Sequence, residues 1–202
     1  MSKSLDFSPI KRIKLKEAFI DIDKFKIISN DEDYFNELFE ITNRGSIFIL
    51  DDEAEGHTIF IEDTNGLGSD KIFKIVNSKH TWLFLWHIDG VLFKKDSKCD
   101  CAIIADNYLG FVEFKSNATN KTQEAIKENY NKAIDQLKHT IIEVKERCNK
   151  VGIDLIKETF IEAFAVFNKT VPRNNASQKN LAAKFQLEMY NIPLRFSNEK
   201  IM

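Results

Sequence analysis

The feature that most constrains this chain is a helix-period stripe held between two strand-like apolar runs. Between residues 120 and 149 the apolar positions Ile126, Tyr130, Ala133, Ile134, Leu137, Ile141, Val144 and Cys148 step by three and four, so they share one helical face. Ahead of it stands Phe111-Val112-Glu113-Phe114-Lys115. Behind it, residues 160–167 are almost continuously apolar, the pattern of a strand buried on both faces. Strand, long amphipathic helix and buried strand in that order predict a parallel crossover on a mixed sheet. Thr119, Asn120 or Thr122 can cap the helix, Glu124 lies in its first turn and Gly152 marks its stop.

The strand ahead of the helix reads as one half of a hairpin. Cys101-Ala102-Ile103-Ile104-Ala105 leads into Asp106-Asn107-Tyr108-Leu109-Gly110, a cluster with turn residues, and then into residues 111–115. Side chains alternate along a strand, so Glu113 and Lys115 share a face and Phe114 takes the other. An acid and a base inside a buried apolar strand are costly unless they have partners. Asp100, at the start of the neighbouring strand, brings a second acid to the same end of the hairpin, and a cation would partner both.

Elsewhere the signals are plainer. Residues 13–28 can be strands, and residues 31–42 read as a short helix with Tyr34, Phe35, Leu38, Phe39 and Ile41 on its apolar side. Residues 46–50 and 57–62 read as strands around an acidic turn at 51–56. Asn65-Gly66-Leu67-Gly68 is a turn that lacks the third glycine of a dinucleotide-binding loop. Residues 81–93 form a strand, or two strands bent at Asp89-Gly90; Trp82 and Trp86, four apart within it, are expected in the core. A second helix is predicted over 178–190 and a last strand over 192–196. The chain thus divides into an N-terminal extension of strands and one helix, residues 1–78, packed on an α/β core, residues 79–202.

Bulk properties exclude several classes. The chain has 202 residues, 43% hydrophobic and 30% charged, with three prolines and seven glycines, so it is neither fibrous nor disordered in composition. Its longest apolar runs are far too short to span a bilayer, and no secretory leader pattern opens it. Three cysteines, Cys99, Cys101 and Cys148, suit a reduced, cytoplasmic setting and small buried side chains; Cys99-x-Cys101 alone is a poor zinc pattern. His57, His80, His87 and His139 are scattered, with no pair at ligand spacing. A net charge of −2 offers nucleic acid no global attraction. Local cationic clusters remain, at Lys11, Arg12, Lys14 and Lys16 and at Lys169, Arg173, Lys179 and Lys184.

Asp100 followed by Glu113-Phe114-Lys115 resembles the motif of the PD-(D/E)XK nuclease superfamily, the restriction-endonuclease-like fold. The proline of the motif is absent, Cys99 standing in its place. With residues 31–42 as the preceding helix, the predicted order from Thr81 onward also resembles the αβββαβ core of that superfamily, a mixed central sheet flanked by helices. The resemblance covers residues 80–200. The resemblance implies a divalent-metal-dependent nuclease, with DNA ahead of RNA as substrate, in a setting of bacterial or phage defence or restriction. It implies that Asp100, Glu113 and the backbone carbonyl of Phe114 hold Mg²⁺ or Mn²⁺, and that Lys115 assists the attacking water. Gln136, beside the helix stripe, takes the place of a glutamine that contacts phosphate or water in many members. A third acid often comes from a neighbouring element; Glu37, Glu40 and Asp89 are the candidates. A recruiting protein subunit or a homodimer would compensate for weak intrinsic DNA binding. Two readings compete: a catalytically idle nuclease fold used as a protein- or nucleic-acid-binding module, and an unrelated α/β interaction protein.

Overall fold

A computed structural model describes residues 18–19, 38–52, 54–64, 67, 72–89, 92–93, 98–105, 107–115, 122–167 and 175–202. These form an α/β fold with two mixed sheets. The larger sheet takes β1 (Phe39–Thr42), β5 (Leu83–His87), β6 (Cys101–Ala105), β7 (Tyr108–Lys115), β8 (Phe160–Phe167) and β9 (Leu194–Arg195), side by side in that order. The smaller runs β10 (Glu199–Ile201), β4 (Ile72–Val76), β2 (Ser46–Asp52), β3 (His57–Ile61). The helices are α1 (Gln123–Lys150), the single turn α2 (Leu155–Glu158) and α3 (Ala176–Glu188). No helix among the described residues is long and apolar enough to cross a membrane.

The crossover predicted from the stripe is present. β5, β6 and β7 are antiparallel neighbours, and after α1 the chain returns as β8, parallel to β7 over all eight residues from Tyr108↔Phe160 to Lys115↔Phe167. Thr122 caps α1 by accepting a bond from the Ala125 N–H. The helix stops where Gly152 adopts a φ of 78°, letting the Gly152 and Ile153 N–H groups reach the carbonyls of Asn149 and Cys148. Its stripe packs on one face of the larger sheet, where Leu137, Ile141 and Val144 meet Ala102, Ile104, Leu109 and Phe111.

Among the described residues, the other face of that sheet is covered by the smaller sheet and not by helices. Ile47 and Ile49 of β2 and Phe73 and Ile75 of β4 pack against Leu83, Leu85, Ile103, Val112 and Phe164. That is why β5 and β6 are buried at every position. Strands distant in sequence border each sheet: β1 pairs with β5 in the larger one, and β10 lies parallel to β4 in the smaller.

Three local expectations give way to tertiary pairing. Residues 39–42, read as the end of a helix, are the strand β1, because Phe39 and Ile41 bury against Trp86 and its neighbours while Glu40 faces away. Asp51 and Asp52, read as turn, complete β2, and the turn begins only where the Asp52 carboxylate caps the Ala54 N–H. Gly110, read as turn, lies mid-strand in β7 with Tyr108 and Leu109; the ring of Tyr108 lies across it, and a Cβ there would meet the phenol oxygen at 2.5 Å. The connection is instead the pair 106–107, with Asn107 at a φ of 54°. Trp86 is buried as expected, but Trp82 precedes β5 and is 48% exposed. Most of the 13–28 strand reading and of the 31–42 helix lies outside the described residues; within the first, Ala18 and Phe19 are buried and are helix and turn, not strand.

Candidate functional site

Four side chains singled out in the sequence converge at one end of the hairpin, beneath α1. The chain leaving β5 folds back so that the N–H groups of Ile88 and Asp89 both reach the carbonyl of Asp100, at 3.1 and 3.2 Å. This brings Asp100 to the mouth of β6, half-buried, where its carboxylate accepts the Phe114 N–H at 2.5 Å. β7 presents Glu113 and Lys115 on the helix side, on the same face as Leu109 and Phe111, while Phe114 points into the apolar layer between the sheets.

Glu113 is 1% exposed. One of its oxygens, Oε1, receives Lys115 Nζ, and the other, Oε2, is buried with no hydrogen-bond partner among the described residues. Lys115 also donates to the Gln136 side-chain carbonyl of α1, and Gln136 Nε2 donates to the Lys98 carbonyl at 2.9 Å. Thr140, one turn on, locks this arrangement: it donates to the Gln136 carbonyl and accepts the Cys99 N–H, both at 2.8 Å. The helix therefore grips the 98–100 segment that carries Asp100.

Electrostatics mark the site as one held at a cost. Burial pushes the Asp100 carboxyl up to about 7; the Phe114 N–H and Lys115 pull it down, while Asp51 and Asp89 push it further up. Glu113 is raised well above the usual carboxylate range, first by burial, then by the charge of Asp100, with Lys115 opposing. Asp51 and Asp89 thus act on Asp100, and Asp100 and Asp89 on Glu113, with the Lys115 ammonium opposing both. Asp89, a candidate third acid, is exposed and belongs to this group. Asp51 was overlooked in the sequence because it reads as turn; strand alternation puts it on the inner face of β2 with Ile47 and Ile49, facing the larger sheet. Glu37 lies outside the described residues.

Glu40 stands in a different cluster. Its Oε2 accepts the Phe60 N–H at 2.9 Å, and its Oε1 lies 3.6 Å from Nε2 of His87. The rings of His57 and His87 are 4.7 Å apart, nearly perpendicular. Ligand atoms of Glu40, His57 and His87 all lie within 4.8 Å of one another. No spacing in the sequence reveals this, since the three residues come from three strands in two sheets. The cysteines are buried thiols, and burial raises Cys99 and Cys101 well above the usual thiol range. Of the two cationic clusters, only Lys179 and Lys184 are described, and Lys184 lies 3.8 Å from the Glu188 carboxylate.

Compared with models of protein families, with characterised proteins and with solved structures, the chain matches none.

Proposed function

We propose that this protein is a divalent-metal-dependent nuclease of the PD-(D/E)XK type, with a restriction-endonuclease-like core, acting on DNA ahead of RNA. The observation that carries the reading is the buried Glu113 carboxylate, whose Oε2 lacks a partner beside Asp100, Lys115 and Gln136. A carboxylate left so is expensive unless something charged completes it. The Asp100 and Glu113 carboxylates offer oxygens, the kind of donor that Mg²⁺ or Mn²⁺ takes. The strand order after β5, three antiparallel strands and then a parallel crossover, supports the same core.

In this reading Asp100, Glu113 and the Phe114 carbonyl hold the cation, and the charges of Asp51 and Asp89 add to the field that attracts it. The bound cation would supply Lewis acidity toward the scissile phosphate and acidify a water. Lys115, bridged between Glu113 and Gln136, is held to orient that water and to offset charge growing on the phosphate. Gln136 fixes the lysine through its own bond to the Lys98 carbonyl. Defence or restriction as the setting, and a recruiting subunit or second copy as partner, belong to the same proposal.

The test is cleavage of plasmid and single-stranded DNA with Mg²⁺ or Mn²⁺. Cutting by the wild type, lost in Glu113→Ala and in chelator, is the expected result. Absence of cutting together with absence of Mg²⁺ or Mn²⁺ binding by calorimetry would sink the proposal. Binding without cutting would favour the idle scaffold, to which the net charge of −2 lends weight.

A further inference from the structure

The cluster of Glu40, His57 and His87 differs from the carboxylate site in chemistry, although His87 pairs across the sheet with Cys101, the residue after Asp100. Alternation along paired strands explains how it forms. Phe39 of β1 and Trp86 of β5 turn toward the helices, so the next residues, Glu40 and His87, turn to the opposite face. There the edge strand β3 of the smaller sheet crosses, bringing its first residue, His57, against His87.

Two of the three ligands, His57 and Glu40, are oriented by a second contact. His57 Nδ1 lies 3.0 Å from the Glu55 carbonyl. A carbonyl only accepts, so the ring proton is on Nδ1 and the Nε2 lone pair is the one left to bind. Glu40 uses Oε2 on the Phe60 N–H, leaving Oε1 toward His87 Nε2. His87 is 3% exposed, while the Glu40 side chain is 33% exposed, so the cluster is walled on one side and open on the other.

From this geometry we propose that Glu40, His57 and His87 form a Zn²⁺ site that clamps β3 of the smaller sheet onto β1 and β5 of the larger. Two imidazoles and one carboxylate are a donor set for zinc, with bonds of about 2.0–2.2 Å and a fourth, open position for water. Tetrahedral bonds of that length put ligand atoms roughly 3.3 Å apart. The 3.6 Å separation of Glu40 and His87 nearly meets this, and the 4.8 Å limit of the cluster leaves a closure of at most about 1.5 Å, within reach of side-chain rotation. Imidazole discriminates against Mg²⁺, so the two sites sort the two ions: nitrogen donors here, oxygen donors at Asp100 and Glu113.

The experiment uses the full chain, stripped with chelator and titrated with Zn²⁺ and with Co²⁺ as its coloured stand-in. One equivalent of Co²⁺ is expected to give a visible absorption band, and proton resonances from two ligating imidazoles are expected to be shifted by the paramagnetic ion. Zn²⁺ at about a hundred times its dissociation constant is expected to raise Tm by roughly 5–10 °C. His57→Ala and Glu40→Gln lose the band and the Tm shift, whereas Glu113→Gln keeps both. Retention of the band in His57→Ala, or its loss in Glu113→Gln, would overturn the assignment. Absence of a second imidazole signal in the wild type would do so without relying on any variant folding.

Discussion

Asp100→Asn should stabilise the metal-free protein, and only at neutral or alkaline pH. The Asp100 carboxyl is pushed up to about 7, from the ordinary 3.8 of an aspartate, chiefly by burial. Between roughly pH 4 and 7 the folded state therefore holds a proton that the unfolded chain has released. The unfolding free energy then falls as pH rises through this window and levels off above it. A gap of about three units at 1.36 kcal/mol per unit makes the full penalty about 4 kcal/mol, an upper figure. Asparagine carries no charge to desolvate, and its side-chain oxygen can still accept the Phe114 N–H. The expected gain is about 2–4 kcal/mol near pH 8 and close to zero near pH 4. Urea denaturation with chelator at both pH values reads this directly, as a midpoint shift of roughly 1–2 M at the higher pH for an m value of about 2 kcal/mol/M. Mg²⁺ should then stabilise the wild type and leave the variant unmoved. A variant that is less stable at pH 8, or equally shifted at both pH values, would refute a buried carboxylate held at a cost.

Two further substitutions test the scaffold around the site. Thr140→Val keeps the side-chain shape but strands the buried Cys99 N–H, and is expected to cost about 1–3 kcal/mol in denaturant unfolding; a change below about 0.5 kcal/mol would mean the grip of α1 on residues 98–100 lies elsewhere. Gly110→Ala drives a methyl into the Tyr108 ring, whose nearest atoms stand 2.5–3.0 Å from the new Cβ, and is expected to cost about 1–3 kcal/mol by overpacking; an unchanged Tm would show that the ring moves freely.

How much was legible in the chain depends on the range over which each signal acts. Local periodicity is enough for α1, for β6 and β7 as a hairpin, and for β8, because each buries a face set by its own spacing. Those elements bring Asp100, Glu113, Lys115 and Gln136 to one end of the sheet, so the candidate site was visible as a set of residues. β4 was overlooked although Phe73, Lys74 and Ile75 alternate in and out as a strand should, and β10 was too short to register.

The remainder needs partners far along the chain. The segment 39–42 has an apolar side that suits a helix as well as a strand, and only pairing with β5 decides for the strand. The second sheet exists because β2 and β4 find a common apolar surface on the larger sheet, and that packing carries Asp51 to Asp100 and His57 to His87. By itself the sequence determined the elements with a strong period and the hairpin chemistry they carry. The tertiary structure alone decided which distant strands share a face, because a side chain's neighbours across two packed sheets are set by burial and register and not by spacing along the chain.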